Sequence, residues 1–125
     1  MTKNTAEYPS LKKLDVWHDG IELVLEVYRQ TATFPPAERF GLTSQLRRAA
    51  VSVPANIAEG YGRNTRGEYL NQISVARGSL NEIETLCLIA VRLGMTNAAA
   101  IESIASRVLS LQKRLTTLRS RLVKK

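Results

Sequence analysis

Few residues in this chain have side chains suited to catalysis. His18 is the only histidine and Cys87 the only cysteine. One imidazole cannot build the paired Glu-x-x-His ligand set of a di-iron bundle, and any Ser-His or Cys-His dyad must run through that same residue. His18 follows Trp17 in the first turn of a helical pattern, which reads as a surface or packing position. Cys87 falls in an apolar repeat between Ile83 and Ala90, where a free thiol behaves as a small hydrophobe. Gly60-Tyr61-Gly62 lacks both the preceding strand and the Lys-Ser/Thr pair of a phosphate loop. The expectation is a protein that is not an enzyme and holds no metal or cofactor.

One polar constellation interrupts the apolar pattern. Ser52, Asn56 and Glu59 align at helical spacing among small residues, Arg48 lies one turn before Ser52, and Arg63 follows the glycine turn. Glu82, with Arg77 and Ser79, sits beside the next apolar repeat. A functional reading makes this a polar groove that binds a ligand or orients a general acid. A structural reading has Pro54 and the glycine turn freeing backbone groups that nearby Asn, Glu and Arg side chains satisfy. The structural reading is the preferred one, and the six residues Arg48, Ser52, Asn56, Glu59, Arg63 and Glu82 are expected to form a stabilising cluster.

Charge is distributed unevenly. Eleven acidic and eleven basic residues balance between Met1 and Glu102, so the net +7 resides in Arg107, Lys113, Arg114, Arg119, Arg121, Lys124 and Lys125. A cationic amphipathic helix ending a balanced body suits polyanions, an acidic protein surface or an anionic membrane. Arg107, Arg114 and Arg121 recur every seven residues, and Asp15, Asp19, Glu22 and Glu26 recur at helical spacing near the start. If those helices are neighbours, the stripes pair across the interface at modest gain. Lys113, Arg119, Lys124 and Lys125 are then the best candidates for phosphate contacts, against the alternative of a solvated charged face.

The elements that position these residues are helices, because no run alternates apolar and polar residues as a strand does. The first is predicted from Asp15 to Thr31, with Leu14, Trp17, Ile21, Val24 and Tyr28 on one stripe and Val16, Leu23 and Val27 on a second. Two stripes exceed what one exposed bundle face needs. It stops before Phe34-Pro35-Pro36. A second helix is predicted from an N-cap at Thr43 to Gly60 and Gly62, kinked near Pro54. Thr65 and Glu68 form a capping box for a third, which repeats Tyr69, Ile73, Ala76, Leu80, Ile83, Cys87 and Ala90 and stops at Gly94. Thr96 is the expected cap of a fourth, carrying Ile101, Ile104, Val108, Leu111, Leu115, Leu118 and Leu122. Short connections make neighbours antiparallel, so the chain is expected to be all-α, an up-down-up-down four-helix bundle over 15–125 with a loose arm over 1–14.

At 125 residues the chain fits one domain with a self-sufficient core. Its lone cysteine excludes an intramolecular disulfide, charge interrupts every apolar stretch, and no secretory pattern opens the sequence. A soluble protein of the reducing cytoplasm, with no membrane partner, is the expectation.

The run Gln45-Leu46-Arg47-Arg48-Ala49-Ala50-Val51-Ser52-Val53-Pro54-Ala55-Asn56-Ile57-Ala58-Glu59-Gly60 follows the block from Phe34 to Leu42 and precedes Gly62-Arg63. With Ala76-Arg77-Gly78-Ser79-Leu80-Asn81-Glu82-Ile83-Glu84-Thr85, it closely resembles the signature of the four-helix bundle proteins also called 23S rRNA-intervening sequence proteins. Members are encoded inside insertions in bacterial large-subunit rRNA genes. The resemblance runs from about Leu14 to the C-terminus and implies an antiparallel bundle assembled as a homopentameric ring, which would explain the doubly apolar first helix. The chain is also similar to the accessory proteins of diversity-generating retroelements, basic bundles that associate with nucleic acid and a reverse transcriptase. The family's pattern implies no enzymatic activity. Gly20 stands where that pattern leads one to expect alanine, so it either loosens the helix by about 1 kcal/mol or permits a close approach. Two functions follow as expectations: an accessory RNA- or DNA-binding oligomer, or an oligomeric scaffold that docks an acidic protein.

Overall fold

The computed structural model describes Leu11 and residues 14–124. The expected arm therefore lies outside the described residues except for Leu11 and Leu14. Lys125 lies outside them too. Among the described residues four helices follow one another: α1 (Asp15–Thr31), α2 (Leu42–Tyr61), α3 (Arg66–Arg92) and α4 (Glu102–Lys124). A single 3₁₀ turn, Pro36–Glu38, joins α1 to α2, and no strand occurs among the described residues. Each helix packs on its sequence neighbour and α4 closes back on α1, the arrangement of an antiparallel four-helix bundle.

The heptad seams form the core. Leu23 and Val27 of α1, Leu46, Val53 and Ile57 of α2, Ile73, Leu80 and Ile83 of α3, and Leu111 and Leu115 of α4 are all at most 1% exposed. On α1 the buried stripe is Val16, Gly20, Leu23, Val27 and Thr31, while Trp17, Ile21 and Val24 are half-buried and Tyr28 is exposed. The stripe of Val16, Leu23 and Val27 thus enters the core, while the stripe of Leu14, Trp17, Ile21, Val24 and Tyr28 lies at its edge, with Leu14, Trp17 and Val24 packed against it.

Two capping expectations are corrected. Thr43 does not cap α2: it lies buried within the first turn, after an N-cap at Gly41 that has no capping side chain. The carboxylate of Glu38 serves instead, accepting from the Leu42 N–H at 3.0 Å. Its negative charge also suits the positive end of the helix. Thr96 does not cap α4 either. Asn97 Oδ1 accepts from the Ala100 N–H at 2.9 Å and organises a turn that leads into Glu102. Thr65 is the N-cap of α3 as expected, its hydroxyl accepting from the Glu68 N–H at 3.1 Å. That helix closes at Gly94, whose φ of 77° is the left-handed conformation glycine supplies without strain. The Met95 and Gly94 N–H groups return to the Ala90 and Val91 carbonyls, closing the Schellman pattern.

Close helix approach is bought by two glycines. A β-carbon on Gly20 would lie 3.1 Å from Pro54 Cβ and 3.3 Å from Pro54 Cα. Gly20 therefore permits close approach of α1 and α2 at the buried proline, and α2 runs continuously across that proline. A β-carbon on Gly60 would lie 2.8 Å from Gln72 Cβ, so the end of α2 can lie against α3 only without a side chain.

Candidate nucleic-acid interface

Burial of Ile104, Val108, Leu111 and Leu115 fixes the rotation of α4 and thereby the direction of its cations. Lys113, Arg114 and Arg121, with Thr117 and Leu118, line one wall of an open groove of about 460 Å³. Leu14, Asp15 and Val16 form the other wall. Arg107 lies further up the same side and lines a small notch with Asp19 and Ser110. Arg119 falls outside the groove lining, Lys124 is exposed at the end of α4, and Lys125 lies outside the described residues. Three of the seven candidate cations are thus gathered around one groove.

The expected pairing of acidic and basic stripes occurs at one point. Arg114 Nη1 lies 2.9 Å from Asp19 Oδ2 across the α1–α4 interface. The contact is a charge pair rather than an aligned hydrogen bond, since that oxygen has no hydrogen-bond partner. Arg107, Lys113, Arg119, Arg121 and Lys124 form no ion pair among the described residues. Their charge is therefore available to a polyanion.

Glu26, expected to face an arginine of α4, meets the Ser103 hydroxyl instead. Arg29 lies 2.5 Å away on the same helix and Gln30 Nε2 donates at 2.9 Å. The hydrogen bond from Ser103, then those from Gln30 and Arg29, hold this nearly buried carboxyl down to about 2. Burial opposes them and loses. Arg47, like Ser103, was not singled out from the sequence: its Nε donates to Thr31 Oγ1 at 2.9 Å, and its guanidinium lies 4.4 Å from the Tyr28 ring centre. Gln112 links α4 to α3, donating to the Arg77 carbonyl at 3.2 Å and to Asn81 Oδ1 at 3.0 Å.

The polar constellation divides in two. Ser52 and Ser79 share a hydrogen bond between α2 and α3, and Asn56 Nδ2 donates to the Ser52 carbonyl at 2.6 Å. Glu59 pairs with Arg63, which also approaches Glu68 at 3.9 Å, but both partners of the Glu59–Arg63 pair are more than two-fifths exposed. Arg48 and Glu82 are exposed as well.

His18 sets its ring edge-on to Trp17, with centroids 5.0 Å apart. Cys87 is 4% exposed, and burial, followed by the nearby Glu84 charge, pushes its thiol up to about 11. It is a protonated core residue at neutral pH. No group of three or more His, Cys, Asp and Glu is placed to hold a metal among the described residues, and no described helix is long and apolar enough to cross a membrane.

An antiparallel helical bundle with a cationic last helix is the class these features define. Residues 12–117 match the family model of the 23S rRNA-intervening sequence proteins, and the chain belongs to that family. A solved structure from Bacteroides thetaiotaomicron, of a protein of unknown function from the S23 ribosomal protein family, shares the fold at a TM-score of 0.74. The two are 21% identical over 83% of this chain and 97% of that one. Among curated proteins no significant relative is found.

Proposed function

We propose that this protein is a non-enzymatic accessory nucleic-acid-binding protein, a cytoplasmic homo-oligomer that presents several copies of one weak phosphate-binding surface. The observation that carries the reading is the groove beside Lys113, Arg114 and Arg121, on the helix that holds the chain's whole positive excess. Few phosphate contacts per subunit give weak affinity, and symmetric repetition multiplies it without any new contact. A homopentameric ring, as the family resemblance implies, would place five such surfaces in one assembly. A reverse transcriptase or another protein is a further partner compatible with this role. The contacts are expected to be electrostatic and weakly sequence-dependent, since backbone phosphates carry little sequence information.

The test is a titration of the purified protein with structured RNA and with duplex DNA at several salt concentrations. Binding to both, falling steeply as salt rises, is the expected result. No binding even at low salt contradicts the proposal and leaves a scaffold for an acidic protein partner as the reading of the same cations.

A further inference from the structure

Arg114 lines the cationic groove with Lys113 and Arg121, yet its charge is already engaged. Asp19 reaches across from α1, its Oδ2 2.9 Å from Arg114 Nη1. That oxygen is shielded from solvent and has no hydrogen-bond partner, so the guanidinium charge is what compensates it. Arg107, one heptad before Arg114 and therefore about 10 Å away along α4, lines a notch of about 50 Å³ with the same aspartate. A single carboxylate of α1 thus sits beside two cations of the helix that carries the chain's positive excess.

We propose that Asp19 withholds Arg114 from phosphate and so limits the affinity of the groove. This rests on the nucleic-acid reading above and identifies a residue that regulates the same surface. A phosphate that took Arg114 would leave the shielded Asp19 oxygen without its compensating charge, which costs more than freeing a fully solvated carboxylate. Lys113 and Arg121 carry no such tie and remain open. Asp15 provides the contrast. It lines the groove itself but pairs with no cation among the described residues, so its charge repels a polyanion without holding any arginine. Two carboxylates of α1 therefore act differently on one surface: Asp15 opposes the ligand through its field, and Asp19 occupies a contact.

The experiment compares the full chain with Asp19→Asn, Asp15→Asn and the double variant Asp19→Asn/Arg114→Gln, titrating each with duplex DNA at several salt concentrations. Asparagine keeps the shape of aspartate, and helical circular dichroism confirms folding; Asp19→Ser takes the place of an Asp19→Asn protein that has lost its helix signal. Release of one arginine adds one phosphate contact, so Asp19→Asn should bind more tightly at low salt, with a slope of log affinity against log salt steeper by about 0.9. Asp15→Asn should steepen it by less, and the double variant should return to the parent's slope. An Asp19→Asn slope equal to the parent's, a change no larger than that of Asp15→Asn, or a double variant as steep as the single one overturns the inference and leaves the nucleic-acid reading standing. No binding by any of the four proteins overturns that reading, and this inference with it.

Discussion

At the residue scale, Glu26 contributes to the acid response of the fold. Its folded pKa of about 2 lies below the ordinary value of 4.5, so its contribution is present above pH 4.5 and is lost as pH falls toward 2. The upper bound on that contribution is about 3 kcal/mol. Ser103→Ala removes the largest cause of the depression. The variant should be less stable at pH 7 and lose less stability between pH 4.5 and 2 in denaturant titrations; parallel curves for the two proteins contradict this assignment. Glu59 behaves differently, because its ion pair with Arg63 is exposed. Glu59→Ala is expected to cost under about 1 kcal/mol in chemical denaturation, not the larger loss a buried partner would impose. The sequence spacing exposed the Ser52–Asn56–Glu59 line but not its division into an inner and an outer part. Nor could it reveal Glu26 with Ser103, since a contact spanning 77 positions depends on the rotation of two helices at once.

At the scale of elements, period and punctuation carried the reading. The seams of α3 and α4, the stop at Gly94 and the cap at Thr65 were legible because each is a local signal. Thr43 and Thr96 misled because a threonine near a helix start satisfies the same statistic as Glu38, which serves the start of α2, and Asn97, which organises the turn before α4. Glycines separate packing from propensity. Gly78 lies in α3 with nothing within 4 Å of its added β-carbon, so Gly78→Ala should stabilise by up to about 1 kcal/mol. Gly60→Ala meets Gln72 Cβ and should destabilise by about 1 to 3 kcal/mol. Gly20→Ala meets the rigid ring and backbone of Pro54, and the same sign is expected. Thermal melts of the three variants check the ranking, and a Gly60→Ala protein that melts above the parent would show that α2 and α3 do not need the close approach.

At the scale of the molecule, fold and family membership were readable from the helix periods and the block around Pro54, and the charge excess from composition alone. Which cations share a surface was not. Their grouping depends on the rotation that burying Leu111 and Leu115 imposes on α4, and on where α1 begins beside it. The central claim is that the cations of the groove hold phosphates, and it is tested by the salt dependence of binding in a variant with Lys113 and Arg121 both changed to glutamine. Arg114 stays in place because it pairs with Asp19, so the fold keeps that contact. On duplex DNA each lost phosphate contact should reduce the slope of log affinity against log salt by about 0.9, together with a weaker affinity at every salt. A variant that binds with the parent's slope contradicts the claim.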